Sequence, residues 1–263
     1  MTGRRAFVLG AAALAACGRR DPAPVPVALP TGRVIPPNFG DSDPHPWDGR
    51  APEAYGVHGI DASRWQTGVD WARVRAAGGN FAFLKATEGG DRRDPMIDSH
   101  WAGTGAAGIP RGAYHVYYLC TSPERQAEWF LNEAPGGPGA LPAVLDAEWN
   151  PRSPTCRIRP PGDEVRDVLS QWLRLVQRAT GQRPIVYTTP DYWADNDLGR
   201  MGEEFWLRST AGHPGQVYPG ARWRFWQYTA TGIVPGVPGP CDINVFNGSP
   251  AAWQTWLAAR QQR

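Results

Sequence analysis

From residue 55 onward the chain alternates between short apolar runs and stretches with helical spacing, and this alternation limits the available folds more than any other feature. VHGID (57–61) precedes VDWARVRAAGG, whose apolar positions recur at helical intervals before a glycine stop. FAFLKAT (81–87) is followed by a weaker helical pattern in DPMIDSHWAGTGAAG. AYHVYYLC (113–120) leads to Ser122 as helix cap, Pro123 at the first helical position, and ERQAEWFLNEA. LPAVLDAEW (141–149) precedes the strongest amphipathic helix, DEVRDVLSQWLRLVQRATG (163–181). PIVYTT (184–189), EFWLRST (204–210), RFWQYTA (224–230) and CDINVF (241–246) read as later strands. The last three have little helix between them, and PAAWQTWLAAR closes the chain as a helix. About five βα units followed by strands with poor crossovers predict an α/β fold: a modified, incomplete and flattened (β/α) TIM-like barrel.

In such a barrel the chemistry sits at the C-terminal ends of the strands, and the polar residues fall there. Asp61 ends the first strand and Lys85 lies near the end of the second. Tyr114 and His115 lie along the third, and Asp146 and Glu148 end the fourth. Tyr187 is on the fifth, Gln227 on the seventh, and Asp242 opens the eighth. Closure brings them to one mouth. In D-A-E the two acids share a face by the period-two rule, roughly 6–7 Å apart along the backbone. Like charges at that range push one pKa upward. Glycoside hydrolysis uses such a pair, one carboxyl kept protonated and another ionised beside it. No loop carries ligand spacing for a divalent metal and the histidines are scattered, so neither a metal nor another cofactor is expected.

Composition narrows the partners. A net charge of +2 gives no electrostatic case for nucleic acid. Thirteen tryptophans and eight tyrosines are enough to build both a core and platforms for sugar rings. Lys85 is the sole lysine among 27 basic residues.

The N-terminal region is not expected to join the fold. MTGRRAFVLGAAALAAC (1–17) has a basic start, a short apolar stretch and small residues before Cys17, as an export signal does. LAAC resembles a bacterial lipobox, in which Cys17 is lipidated, and GRRAFVL resembles a twin-arginine signal. Residues 18–54 carry nine prolines between 22 and 52 and read as a Pro-rich tether, with its later part, around Phe39 and Trp47, able to pack on the domain. Residues 55–263 form the catalytic barrel. The expected product is an exported, lipid-anchored monomer facing the periplasm or cell exterior. Export leaves Cys120, Cys156 and Cys241 in an oxidising compartment. Cys120 and Cys156 follow strands and lie in loops, so the expected bridge is Cys120–Cys156, with Cys241 a buried thiol.

GIDASRWQ (59–66), FAFLKATEG (81–89), GAYHVYY (112–118), LDAEW (145–149), PIVYT (184–188), FWLRS (205–209) and WRFWQYTATGIVPGVPGPCDINVFNG (223–248) together resemble the glycoside hydrolase family 25 lysozymes, the Chalaropsis-type N-acetylmuramidases. The resemblance covers about residues 56–257. It implies a peptidoglycan hydrolase that cuts the β-1,4 bond between N-acetylmuramic acid and N-acetylglucosamine with retention of configuration. It also assigns the general acid to Glu148 and the partner carboxylate to Asp146, with Asp61 and Asp242 completing the acidic cluster. Tyr114, Tyr187, Trp206, Trp226, Gln227 and Lys85 match groove positions, and Glu88 supports the lysine or its loop. Asp146 either attacks the anomeric carbon or orients the substrate's acetamido group; the 2-acetamido sugar favours the second. Cys241 stands where relatives often carry valine. The alternative is a non-catalytic peptidoglycan-binding lipoprotein on the same barrel, which has no reason to keep all four acids.

Overall fold

The computed structural model describes residues 33–261. The expected signal segment, Cys17 and the first part of the Pro-rich stretch lie outside the described residues. Among the described residues, eight strands build the barrel: β1 (His58–Ala62), β2 (Gly79–Glu88), β3 (Arg111–Val116), β4 (Val144–Ala147), β5 (Ile185–Thr188), β6 (Phe205–Arg208), β7 (Trp223–Ile233) and β8 (Cys241–Phe246); the two-residue strands Gly40–Asp41 and Arg92–Arg93 add to the same sheet. Strands β1 to β7 pair in parallel in chain order. Strand β8 then runs antiparallel to both β7 and β1 and joins the two ends. The barrel is therefore closed, and the expectation of an incomplete one is corrected. Closure needs no eighth crossover helix, because a β7–β8 connection of a few residues suffices for antiparallel neighbours.

Among the described residues, seven α-helices accompany the sheet: α1 (Trp71–Ala76), α2 (Ile97–Ala106), α3 (Pro123–Glu133), α4 (Gly162–Thr180), α5 (Pro190–Asn196), α6 (Pro214–Val217) and α7 (Pro250–Arg260). Helix α4 buries Val165, Leu169, Trp172, Leu173 and Val176, the stripe its sequence predicts. Asp163 and Glu164 sit in its first turn and Arg178 in its last, matching the helix dipole. It stops at Gly181, whose φ of 71° suits glycine. Helix α3 starts as read, with Ser122 Oγ accepting from Arg125 N at 3.3 Å and Pro123 next. Strand β3 ends at Val116, sooner than the apolar run suggests, because Gln126 of α3 takes over the backbone groups of the following loop. Its side chain accepts from Tyr118 N at 2.8 Å and donates to the carbonyls of Tyr118 and Thr121.

Strand residues alternate between two cores. Outward residues such as Ile60, Ala82, Leu84, Ala113, Leu145, Val186, Leu207 and Ile243 pack beneath the helices. Inward residues Phe81, Phe83, Tyr114, Val144, Ile185, Tyr187, Trp206, Phe225 and Phe246 fill the barrel. Helix α7 closes its lower end: Trp253 stacks on Trp256 at 5.5 Å and meets Phe81 and Phe246 at 5.6 and 5.2 Å. With the floor filled by aromatic rings, the open cleft lies at the opposite mouth, where the strands β1 to β7 end.

The described part of the Pro-rich stretch lies along the barrel. Ile35 N donates to Asn80 Oδ1 at 2.8 Å, and Asn80 Nδ2 returns a bond to the Ile35 carbonyl at 2.9 Å. The buried Arg75 guanidinium reaches Asn80 Oδ1 and the Arg33 carbonyl. Gly78, at φ 101°, has no room for a Cβ, which would lie 2.5 Å from the Pro36 carbonyl oxygen. Gly40–Asp41 then pairs antiparallel with the end of β7, and Trp47 packs edge-on against Trp226 at 4.9 Å.

Cys120 and Cys156 are bonded, and Cys241 is a buried free thiol. The bridge joins the loops after β3 and β4 across a separation of 36 residues. Chain-entropy reasoning puts its contribution at about 3–4 kcal/mol. Cys120→Ser is expected to lower the unfolding free energy by that amount in urea melts, and a loss below about 1 kcal/mol would contradict it.

Candidate active site

The mouth is an open cleft of ≈ 260 Å³ lined by Asp61, Tyr114, Asp146, Glu148, Tyr187, Trp206, Arg208, Gln227, Ala230 and Asp242. Alternation explains this set. On β4, β5 and β7 the cleft residue lies two positions beyond an inward core residue: Asp146 after Val144, Tyr187 after Ile185, Gln227 after Phe225. Strand β8 runs the other way, so its first inward residue, Asp242, is the one at the mouth. Asp242 stands directly opposite Asp61 in the antiparallel β8–β1 register.

A chain of hydrogen bonds fixes one wall. Tyr187 OH donates to Gln227 Oε1 at 2.9 Å, and Gln227 Nε2 donates to Asp61 Oδ2 at 2.9 Å. From the other side Trp206 Nε1 donates to Asn244 Oδ1 at 2.7 Å, and Asn244 Nδ2 donates to the same Asp61 oxygen at 2.9 Å. Asp61 thereby orients both amides, and through them the Tyr187 and Trp206 rings. Tyr187 and Trp206 meet edge-to-face at 4.6 Å.

Asp146 is differently placed. Its buried Oδ1 has no hydrogen-bond partner among the described residues. Burial, with the Glu148 carboxylate beside it, pushes the Asp146 carboxyl well above the usual range, against the pull of Lys85. Burial also raises Glu148; Arg208 and Lys85 oppose the rise, and Asp191 and Asp242 add to it. Burial carries Asp242 up to about 6, with Arg208 opposing. Asp61 is raised by burial and by the facing Asp242, and its two amide donors act against that. Four largely buried acids thus share the mouth with one nearby guanidinium, an arrangement that holds their carboxyls above the ordinary range.

Those shifts set a sign for stability. A carboxyl whose folded pKa is raised binds its proton more tightly in the folded chain. Its contribution is complete below its unfolded value, 3.8 for Asp242, and is lost as pH rises through about 6. Asp242→Asn is therefore expected to raise Tm at about pH 7 and to change it little at about pH 3. An equal change at both would contradict the buried-charge account.

Lys85 is not in the cleft wall. Its Nζ pairs with Glu88 Oε2 at 2.5 Å, and Glu88 Oε1 also holds Arg92 at 3.2 Å. Glu88 thus holds the lysine beside the acids, where its charge lowers Asp146 and Glu148. Two expectations are corrected. Trp226 is fully buried outside the barrel, donating to the Ser209 carbonyl at 2.7 Å and packing on Tyr55. It precedes inward Gln227, so the strand turns it to the other face. His115 is likewise turned away from the mouth, stacking on Trp172 at 5.5 Å and bonding Thr87 and Gln126. Cys241, next to Asp242, also faces outward, and burial pushes its thiol up to about 12.

Arg208 and Asn244 were not singled out from sequence. Each lies two residues beyond a residue that was, Trp206 and Asp242, so the same alternation could have found them.

Comparison with known proteins places the chain in a family. Residues 60–237 match Glycosyl hydrolases family 25. The chain belongs to that family. It is therefore a glycoside hydrolase, in a mixed α/β fold with a closed eight-stranded barrel. Among its relatives, the uncharacterized Escherichia coli (strain K12) protein YegX is 38% identical over 216 residues, which cover 79% of this chain and 76% of YegX. Lysozyme M1 of Streptomyces globisporus is 35% identical, covering 74% of this chain and 69% of the relative. A solved bacterial lysozyme from Streptomyces coelicolor superposes with a TM-score of 0.68 at 33% identity, covering 77% of this chain and 96% of that one. The muramidase structure from Acremonium alcalophilum gives a TM-score of 0.69 at 28% identity, covering 77% and 99%.

Proposed function

We propose that this glycoside hydrolase is a lysozyme that cleaves the β-1,4 bond between N-acetylmuramic acid and N-acetylglucosamine in peptidoglycan, in a TIM-like barrel with its site at the C-terminal mouth. The observation that carries the reading is the D-A-E pair in the cleft: two neighbouring carboxyls, both held above their ordinary pKa, one with an unpartnered buried oxygen. The relatives that act as lysozymes and muramidases support the choice of bond.

Glu148 is the general acid. It gives its proton to the glycosidic oxygen as the bond from the anomeric carbon of the muramic sugar breaks. The 2-acetamido carbonyl oxygen of that sugar attacks the same carbon, forming a cyclic intermediate. Asp146 Oδ1 accepts the acetamido N–H and holds the group in line, and at this point its missing partner is supplied. Glu148, now a carboxylate, takes a proton from water as the water opens the ring, and two displacements give net retention. Asp242 and Arg208 set the charge of the mouth. Tyr114, Tyr187, Trp206 and Gln227 position the sugar rings, and Lys85 tunes both acids from behind. The protein works as an exported monomer, held to a membrane through Cys17 and reaching glycan strands by way of the Pro-rich tether.

Proton NMR of a soluble glycan oligomer during the first turnovers tests the reading. The β-anomer of the new reducing end is expected to appear first and then equilibrate. Initial release of the α-anomer would exclude the two-displacement route.

A further inference from the structure

A second cleft, of ≈ 310 Å³, adjoins the first. Asp41, His45, Arg208, Tyr228, Thr229 and Thr231 are among its lining residues, and Arg208 and Ala230 line both clefts. Its outer wall is the Pro-rich segment, which lies outside the residues matched to the family. We propose that Asp41–Trp47 and the end of β7 form an added saccharide subsite, which takes a further amino-sugar ring of the glycan strand leaving the catalytic mouth. The inference rests on the glycan-cleaving function proposed above and extends it.

The wall is fixed before any ligand arrives. Thr231 Oγ1 donates to Asp41 Oδ1 at 2.6 Å, and both Ser42 N and Ser42 Oγ donate to the Thr231 carbonyl at 3.0 Å. The His45 ring packs edge-on against Trp47 at 4.7 Å, and Trp47 packs on buried Trp226 at 4.9 Å. Trp226 thus supports the outer wall rather than touching the substrate at the mouth. A preformed wall binds without a large ordering cost. The prolines on either side of His45 limit the backbone further.

The lining chemistry selects a neutral polyhydroxylated ligand over an anionic one. Imidazole, hydroxyl and guanidinium groups can bond ring hydroxyls and acetamido groups. Asp41 and Asp43 on the same wall repel carboxylates. The Arg208 charge is already drawn on by Glu148 and Asp242 in the mouth. The anionic stem peptides and the lactyl carboxylate of muramic acid are therefore poor occupants, and a neutral N-acetylglucosamine ring is favoured.

Steady-state kinetics and calorimetric binding on full-length protein, with alternating N-acetylglucosamine–N-acetylmuramic acid oligomers of four, six and eight rings, test this. For the wild type, KM and Kd are expected to fall as the oligomer grows to reach the second cleft. His45→Ala is expected to remove that gain, raising KM for the longest oligomer roughly tenfold with kcat changed less than about twofold. His45→Gln, which keeps a hydrogen-bonding side chain, is expected to restore part of it. Equal length dependence in wild type and His45→Ala, with cleavage intact, overturns the subsite alone. A wild type that neither binds nor cuts any oligomer overturns the subsite together with the proposed function.

Discussion

Glu148→Gln is expected to lower kcat on peptidoglycan by about 10²–10⁴-fold while leaving glycan binding within a few-fold of wild type. Glutamine preserves the size of the side chain and can still donate a hydrogen bond, but it has no proton to give to a leaving oxygen. The wall formed by Tyr187, Gln227, Asp61, Asn244 and Trp206 is tied together without Glu148, so the sugar platform should persist. The substitution also removes one of several buried acids from the mouth, so thermal stability at about pH 7 should rise rather than fall. A variant that retains wild-type release of muropeptides would remove Glu148 from the mechanism. Loss of both binding and fold would leave the chemistry unassigned to this residue, and calorimetry beside kinetics separates the two results.

Asp146→Asn is expected to lower kcat by about 10²-fold with a smaller change in KM. The buried Oδ1 is an acceptor awaiting a donor, whereas an asparagine amide can turn its NH₂ toward the acetamido N–H and misdirect the nucleophile. The pH profile supplies the more specific test. Glu148 must be protonated for the first step, so its pKa sets the alkaline limb of kcat/KM. The adjacent acids titrate as a coupled pair. Removing the ionisable neighbour relieves like-charge repulsion, lowers the remaining group's pKa, and shifts that limb to lower pH. A shift to higher pH would contradict the arrangement. Replacing the substrate's 2-acetamido group by hydroxyl separates the two roles of Asp146: substrate assistance predicts no turnover, and direct attack by Asp146 predicts turnover.

The site was legible where period two applies within one strand. D-A-E and D-I-N put their outer members on one face whatever the rest of the fold does, and the alternating strands and helices defined a barrel mouth to hold them. The same rule was available to separate Trp226 from Gln227. Adjacent strand residues cannot both face the mouth, and an aromatic beside a polar residue on a buried strand serves the outer core as readily as the inner one. The antiparallel closure by β8 was less accessible, because the direction of a short apolar run is not written in its composition. The strength of the carboxyl shifts was out of reach, since burial and the approach of Arg208 depend on strands far apart in sequence. The Pro-rich segment lacks periodicity altogether. Its attachment depends on Asn80 and Arg75 reaching from the barrel and on Trp47 finding Trp226.

The most direct test of the central claim is the chemical identity of the new reducing end. Purified peptidoglycan is digested with the full chain, the products are reduced with borohydride, and the terminal sugar alcohol is identified by mass spectrometry. Muramitol ends are expected from the wild type and none above background from Glu148→Gln; glucosaminitol ends from the wild type, or muramitol ends at wild-type yield from the variant, would contradict the proposed cleavage.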